Sequence, residues 1–209
     1  MNRLEKDIEI LPSYFRQKNK INISKILPKL EYPLLGKVFG LWVQGCLKHC
    51  PECVSHKEDI NSIRKKLLFN SKKLAQIVSN ISEINGIVIY GGEPLLQYKS
   101  LSLLARGIKR INSEKFIVIY TGYMWEEINN LSKRDKALKD LIQNIDLLID
   151  GEYYPALYSP DDPFRGSANQ RLIFFNEKLH TLYITQKRKL KRIKNVYIYK
   201  NMKIYQFIP

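Results

Sequence analysis

The chain has 209 residues, of which 44% are hydrophobic and 26% charged. That is a globular balance; it excludes a disordered chain and implies one domain with short appendages. The net charge is +15, from 35 Lys and Arg against 20 Asp and Glu, enough to attract nucleic acid or an acidic protein surface. No recognisable nucleic-acid-binding module accompanies it, and a composition rich in Lys, Ile and Asn accounts for the excess, so nucleic acid is a disfavoured partner. No run approaches the roughly 18 apolar residues that span a bilayer. The start carries Arg3, Glu5, Lys6, Asp7 and Glu9 and does not read as a secretory leader, which points to the cytoplasm and away from a membrane.

In chain order, residues 1–35 read as an N-terminal extension broken by Pro12, Pro28 and Pro33, with a short helix expected near residues 24–30. Residues 38–43 predict a first strand that ends at Gly45. Ser71 caps a helix in which Leu74, Ile77, Val78, Ile81 and Ile84 recur at helical spacing, and Gly86 closes it. A strand over 87–90 stops at Gly91-Gly92-Glu93-Pro94. Leu101, Leu104, Ile108 and Ile111 mark a second helix. A strand over 116–120 ends at Thr121-Gly122-Tyr123. Helical segments at 125–131 and 137–143 precede a strand over 145–149, which ends at Asp150-Gly151. Beyond it lie a Pro- and Tyr-rich loop (152–164), a strand at 171–175 and a run of six basic residues within 187–194. A hairpin follows, with strands at 196–200 and 203–207 turning at Asn201-Met202.

Short apolar strands alternating with amphipathic helices imply an α/β fold with a parallel sheet. Each distinctive motif directly follows a strand. The carboxyl ends of parallel strands are where such folds bind ligands, so these loops converge on one edge.

The three cysteines fall in Cys46-Leu47-Lys48-His49-Cys50-Pro51-Glu52-Cys53, spaced C-x3-C-x2-C. An odd, tight cluster argues against a disulfide framework. Soft thiolates suit iron, and three of them satisfy three irons of a cubane and leave one open, the mark of a reactive metal site. A structural zinc site with His56 as fourth ligand is the alternative for this loop alone, although the usual second knuckle is missing. No role falls to His49 or His56. In Gly91-Gly92-Glu93-Pro94, paired glycines allow close backbone approach and a carboxylate can accept from an ammonium group.

These motifs resemble the radical S-adenosylmethionine (SAM) superfamily. Within it the chain is most similar to the small activating proteins of anaerobic ribonucleotide reductase and their 4Fe-4S single-cluster relatives. The resemblance covers residues 36–175. It rests on Trp42-Val43-Gln44-Gly45-Cys46, the cysteine loop, Gly91-Gly92-Glu93-Pro94-Leu95 and Tyr120-Thr121-Gly122-Tyr123. It rests also on residues 146–151 and the run Arg165-Gly166-Ser167-Ala168-Asn169-Gln170-Arg171. The chain departs from the pattern at Glu52, where many such loops carry an aromatic residue, and at Val54-Ser55.

The resemblance implies a partial (βα) barrel over 36–175, with the 1–35 extension and a basic appendage with a β-hairpin over 176–209. It implies a 4Fe-4S cluster on Cys46, Cys50 and Cys53 and SAM as cofactors. Gly91, Gly92, Glu93 and Pro94 are expected at the SAM amino group and Thr121, Gly122 and Tyr123 along SAM. Arg165 and Asn169 are expected at its carboxylate or ribose, and Asp150 at a hydroxyl. The implied reaction is reductive cleavage of SAM to a 5′-deoxyadenosyl radical, with an external electron donor. The implied substrate is a glycyl radical enzyme docked at the open barrel face; a nucleic acid, peptide or small molecule is the alternative.

Overall fold

The computed structural model describes residues 2–53, 55, 59–158, 164–187, 196–200 and 203–206. Helix α1 (Arg3–Glu9) starts at Asn2, whose side chain accepts from the Glu5 amide while the Glu5 carboxylate accepts from the Asn2 amide. Strand β1 (Lys20–Tyr32) then pairs antiparallel with β2 (Gly36–Val43), and β3 (Leu67–Asn70) pairs on the other side of β1. The chain continues through α2 (Ser71–Asn80), β4 (Gly86–Gly91), α3 (Tyr98–Ile111) and β5 (Phe116–Thr121). Helices α4 (Trp125–Ser132) and α5 (Lys136–Ile142) lead into β6 (Leu147–Asp150) and β7 (Arg171–Phe174). Helix α6 (Glu177–Lys187), β8 (Val196–Lys200) and β9 (Lys203–Gln206) complete it.

Among the described residues the strands form one α/β sheet in the order β3-β1-β2-β4-β5-β6-β7-β8-β9. Strands β2, β4, β5 and β6 are parallel, with Phe39 opposite Ile87, Ile87 opposite Ile117 and Ile119 opposite Leu148. Strand β7 runs antiparallel to β6. The sheet is open, with β3 and β9 at its edges.

Side chains alternate between the two faces of each strand. On one face Ile87, Ile89, Ile117, Ile119 and Leu148 pack with Leu74, Leu101, Leu104, Ile108, Leu138 and Leu141 of the helices. On the other, Val88, Val118, Leu147 and Ile149 are covered by Phe164, Leu179 and Tyr183. Burial of both faces explains why these strands read as unbroken apolar runs.

The helix expected at residues 24–30 is instead part of β1. Ile21 and Ile23 are β-branched and buried, and Ile23 pairs with Val43 and Ile26 with Leu41. Pro28 falls in the register shift between Leu27 and Leu30, an irregularity where no ladder donor is required of it. Helix α6 was not expected; it buries Leu179 and Tyr183. The hairpin has its expected strands, with Tyr199 opposite Ile204. Its turn residues Asn201 and Met202, and Phe207, lie outside the described residues, as does most of the basic run (188–195). Among the described residues no helix is long and apolar enough to cross a membrane.

At the edge of the sheet opposite the motif loops, buried Asp146 ties three elements together. It accepts from the Ile117 amide at 2.7 Å, the Asn176 side-chain amide at 2.7 Å and the Lys109 ammonium at 2.8 Å. Truncation leaves buried donors unpaired. Asp146→Ala is expected to lower the unfolding free energy by about 3 kcal/mol in a urea titration.

Candidate metal centre

The cysteine loop leaves β2 through a closed base. Buried Gln44 donates from its side-chain amide to the carbonyls of Asp59 and Ser62, and its backbone N–H donates to Asn22. The Gly45 and Cys46 amides donate to the Ile60 and Asn61 carbonyls at 2.7 and 3.1 Å. Inside the loop His49 (φ 51°) and Glu52 (φ 52°) take left-handed conformations that non-glycine residues seldom adopt. The Cys53 amide turns back onto the Cys50 carbonyl at 3.3 Å. Cys46, Cys50 and Cys53 form no disulfide and stand on the wall of a cavity of about 260 Å³. Burial, with the nearby charge of Glu93, pushes the Cys46 thiol up to about 12, and burial also raises Cys50.

The loop after β4 lies backbone to backbone on this base. The Gly92 amide donates to the Val43 carbonyl and the Glu93 amide to the Gly45 carbonyl, at 2.9 and 2.8 Å. A Cβ on Gly92 would stand 2.2 Å from the Gly45 oxygen; one on Gly91, at φ +112°, would stand 2.8 Å from the Trp42 Cα. The Ser55 hydroxyl donates to the Gly91 carbonyl at 2.7 Å.

Glu93 is 2% exposed. It accepts from the Leu95 amide, the Thr121 hydroxyl and the Gly122 amide at 2.9, 2.7 and 2.8 Å. Burial raises its pKa, and these hydrogen bonds, with Lys48 nearby, act the other way. One carboxylate thus locks the loop after β4 to the loop after β5.

The expected residues divide into two groups. Cys46, Cys50, Cys53, Gly91, Gly92, Glu93, Thr121 and Gly122 line the cavity. Pro94, Tyr123, Asp150, Arg165 and Asn169 are not among the wall residues. Pro94 starts a buried 3₁₀ turn. Tyr123 is fully buried and donates to Asp7 at 2.6 Å. Asp150 is paired with Arg171 and accepts from the Trp125 amide at 2.6 Å. Arg165 donates to the Ala168 and Gln170 carbonyls, and Asn169 to the Glu152 carbonyl. Buried polar and charged groups are costly without partners, and here the partners come from β7, α4 and the neighbouring loops. Asp150, Arg165 and Asn169 thus bond neighbouring elements beside the wall, and among the described residues the Asn169 Oδ1 is left without a hydrogen bond.

Other wall residues carry no assigned role in the sequence, although Trp42, Tyr120 and Gln170 stand in its motifs. Trp42, Tyr90 and Tyr120 form an aromatic row, Trp42 meeting Tyr90 edge-on with ring centroids 4.3 Å apart and Tyr90 meeting Tyr120 at 5.8 Å. Tyr90 follows Val88 and Tyr120 follows Val118 by two positions, so strand periodicity already places each pair on one face. Glu152, Tyr153 and Gln170 complete the far side. Lys48 gave no signal beyond its place between two cysteines. Burial pulls its ammonium below the ordinary lysine range, while Glu93 and Glu152 act against that.

The family described as the 4Fe-4S single cluster domain matches residues 35–173. The chain belongs to that family. Among curated relatives, proteins named anaerobic ribonucleoside-triphosphate reductase-activating protein are similar to it. That of Pasteurella multocida is 31% identical over 144 residues, 66% of this chain and 87% of the relative. That of Haemophilus influenzae is 31% identical over 136 residues, 62% and 83% of the two chains. That of enterobacteria phage T4 is 32% identical over 136 residues, 63% and 80%.

As a member of this single-cluster family, the chain is a radical SAM enzyme whose cofactors are a 4Fe-4S cluster and SAM. Its donor set suits the cluster. Three thiols stand on one short loop, and among the described residues no three His, Cys, Asp or Glu side chains are placed to hold a single metal ion. A cubane requires each thiolate to reach a different iron, so convergence on one point is not needed. His56, the fourth ligand of the zinc alternative, lies outside the described residues. The Gly92 contact is the tightest constraint on the wall. Gly92→Ala is expected to cost about 2 kcal/mol by overpacking and to lower the iron bound after anaerobic reconstitution, read by denaturation and iron analysis.

Proposed function

We propose that Cys46, Cys50 and Cys53 each ligate one iron of the cluster, leaving the fourth open to SAM. We propose further that the chain activates an anaerobic ribonucleotide reductase by raising a glycyl radical in it. The observation that carries this reading is the meeting of the three-thiol loop with the two glycine-bearing loops in one cavity at the carboxyl ends of parallel strands. The relatives' name supplies the partner. When both cofactors are bound, the chemistry supplied is one-electron cleavage of the sulfonium to methionine and a 5′-deoxyadenosyl radical, which takes a hydrogen atom from the substrate.

The chain's own residues bind, orient and exclude water. Gly91 and Gly92 let the backbone approach the methionine end of SAM, and Ser55 fixes the Gly91 carbonyl. Thr121 and Gly122 lie along SAM in positions held by Glu93, which acts through these loops with its oxygens already bonded. Trp42, Tyr90 and Tyr120 present a largely apolar wall that keeps water from a reactive intermediate.

In this reading residues 36–175 form a partial barrel, with 1–35 and 176–209 as additions, and the open sheet leaves a face for a polypeptide. The loops after β5 and β6 carry exposed Met124, Tyr154, Leu157 and Tyr158 beside wall residues Gly122 and Tyr153, an apolar rim suited to a protein partner. A cytoplasmic site and an external low-potential electron donor belong to the same proposal.

Anaerobic reconstitution with iron and sulfide, reduction with dithionite and addition of SAM is expected to yield 5′-deoxyadenosine. With the reductase present, a glycyl radical is expected by EPR. Cys46→Ala, Cys50→Ala and Cys53→Ala are each expected to reduce both products to background. A protein that takes up zinc and forms no cluster contradicts the reading.

A further inference from the structure

We propose that Lys48 is a positioning residue that sets the reduction potential of the cluster, by holding one buried positive charge between the cysteine loop and residues 121–123. The proposal rests on the reading of Cys46, Cys50 and Cys53 as cluster ligands.

Among the described residues of the cavity wall, Lys48 is the only Lys or Arg; the other charged side chains there are Glu93 and Glu152. Its side chain is 2% exposed, a burial that lysine tolerates only when its charge is matched. Yet its Nζ makes no hydrogen bond among the described residues. It rests over the Tyr123 ring, 3.4 Å from the centroid, and stands 3.7 Å from Glu152. The stem runs under residue 122, where a Cβ on Gly122 would meet the Lys48 Cγ at 3.1 Å.

Both groups that hold the ammonium are anchored by helix α1. Tyr123 donates to Asp7 at 2.6 Å, and Glu152 accepts from Arg3 at 2.7 Å. Helix α1 lies outside residues 35–173, the span of the family match. This chain therefore adds its own support to a cation placed inside the cluster loop. The backbone of the same residue already addresses a ligand, since the Lys48 N–H donates to the Cys46 Sγ at 3.3 Å.

Filling space does not require a charge here, because methionine has nearly the same length and no desolvation cost. A positive charge and an N–H···S bond both favour the more negative, reduced state of a cluster. The wall otherwise contributes two carboxylates, which oppose reduction. The step affected is transfer of one electron from an external low-potential donor to the cluster, from the 2+ to the 1+ state. No bond forms or breaks.

The test is an EPR-monitored dithionite titration of the anaerobically reconstituted full chain, without SAM, beside Lys48→Met and Glu152→Gln. Lys48→Met is expected to raise the oxidised-to-reduced ratio at fixed potential about tenfold, a midpoint about 59 mV more negative for a one-electron couple. Glu152→Gln is expected to move the midpoint the other way, a change of sign that lost packing does not produce. Iron and sulfide content confirm equal loading. If Lys48→Met fails to load, Lys48→Gln takes its place, with a midpoint expected to move in the same negative direction. Equal midpoints in loaded proteins overturn the role of Lys48 and leave the ligand assignment standing. A wild-type chain that loads no cluster overturns both.

Discussion

The site depends on one contact between two stretches of backbone. Where the chain leaves β4, Gly92 lies so close to Gly45 that a single methyl group would drive the two apart. That closeness lets the Gly92 and Glu93 amides donate to Val43 and Gly45, so the loop after β4 takes its shape from the base of the cysteine loop. Glu93 then carries the same order outward, bonding its own turn at Leu95 and the loop after β5 at Thr121 and Gly122. A buried carboxylate is costly unless every oxygen is used, and here both are. The geometry of three loops is thereby reduced to one hydrogen-bonded unit.

The sheet below makes that unit possible. Four parallel strands end side by side, so their loops share an edge without any long excursion. Burial on both faces fixes each strand's register, because a one-residue slip would exchange the helix-facing isoleucines for the residues of the opposite face. The same alternation leads from Val88 and Val118 in the second core layer to Tyr90 and Tyr120 in the cavity wall. Core and site are thus consecutive positions on one face of the same strands.

Much of this was legible in the sequence, for physical reasons. Apolar strands between amphipathic helices gave the α/β class, and the motif loops were placed correctly at the strand ends because their glycines mark where a helix or strand must stop. Strand β1 does not announce itself, because Pro28 reads as a breaker in the sequence while in the fold it sits at a register shift. Helix α6 lacks an amphipathic pattern strong enough to announce it, and only packing of Leu179 and Tyr183 reveals its buried side. At Asp150, Arg165 and Asn169 a motif position told that the residue matters, not which way it faces. Asp150 bonds Arg171 and Trp125, Arg165 the Ala168 and Gln170 carbonyls, and the Asn169 Nδ2 the Glu152 carbonyl, partners that become neighbours only in the fold. Lys48 is hidden for the same reason, since its surroundings come from residues 122, 123 and 152, the last two tied to helix α1.

On the proposed reading, the three-thiol loop presents an incompletely ligated cluster to SAM within this cavity. Mössbauer spectroscopy of the protein reconstituted with isotopically enriched iron, recorded before and after SAM is added, tests it most directly. The expected result is a cubane in which SAM alters the spectrum of one iron in four and leaves the other three unchanged. Four irons that do not respond to SAM, or iron bound in no cluster at all, would contradict it.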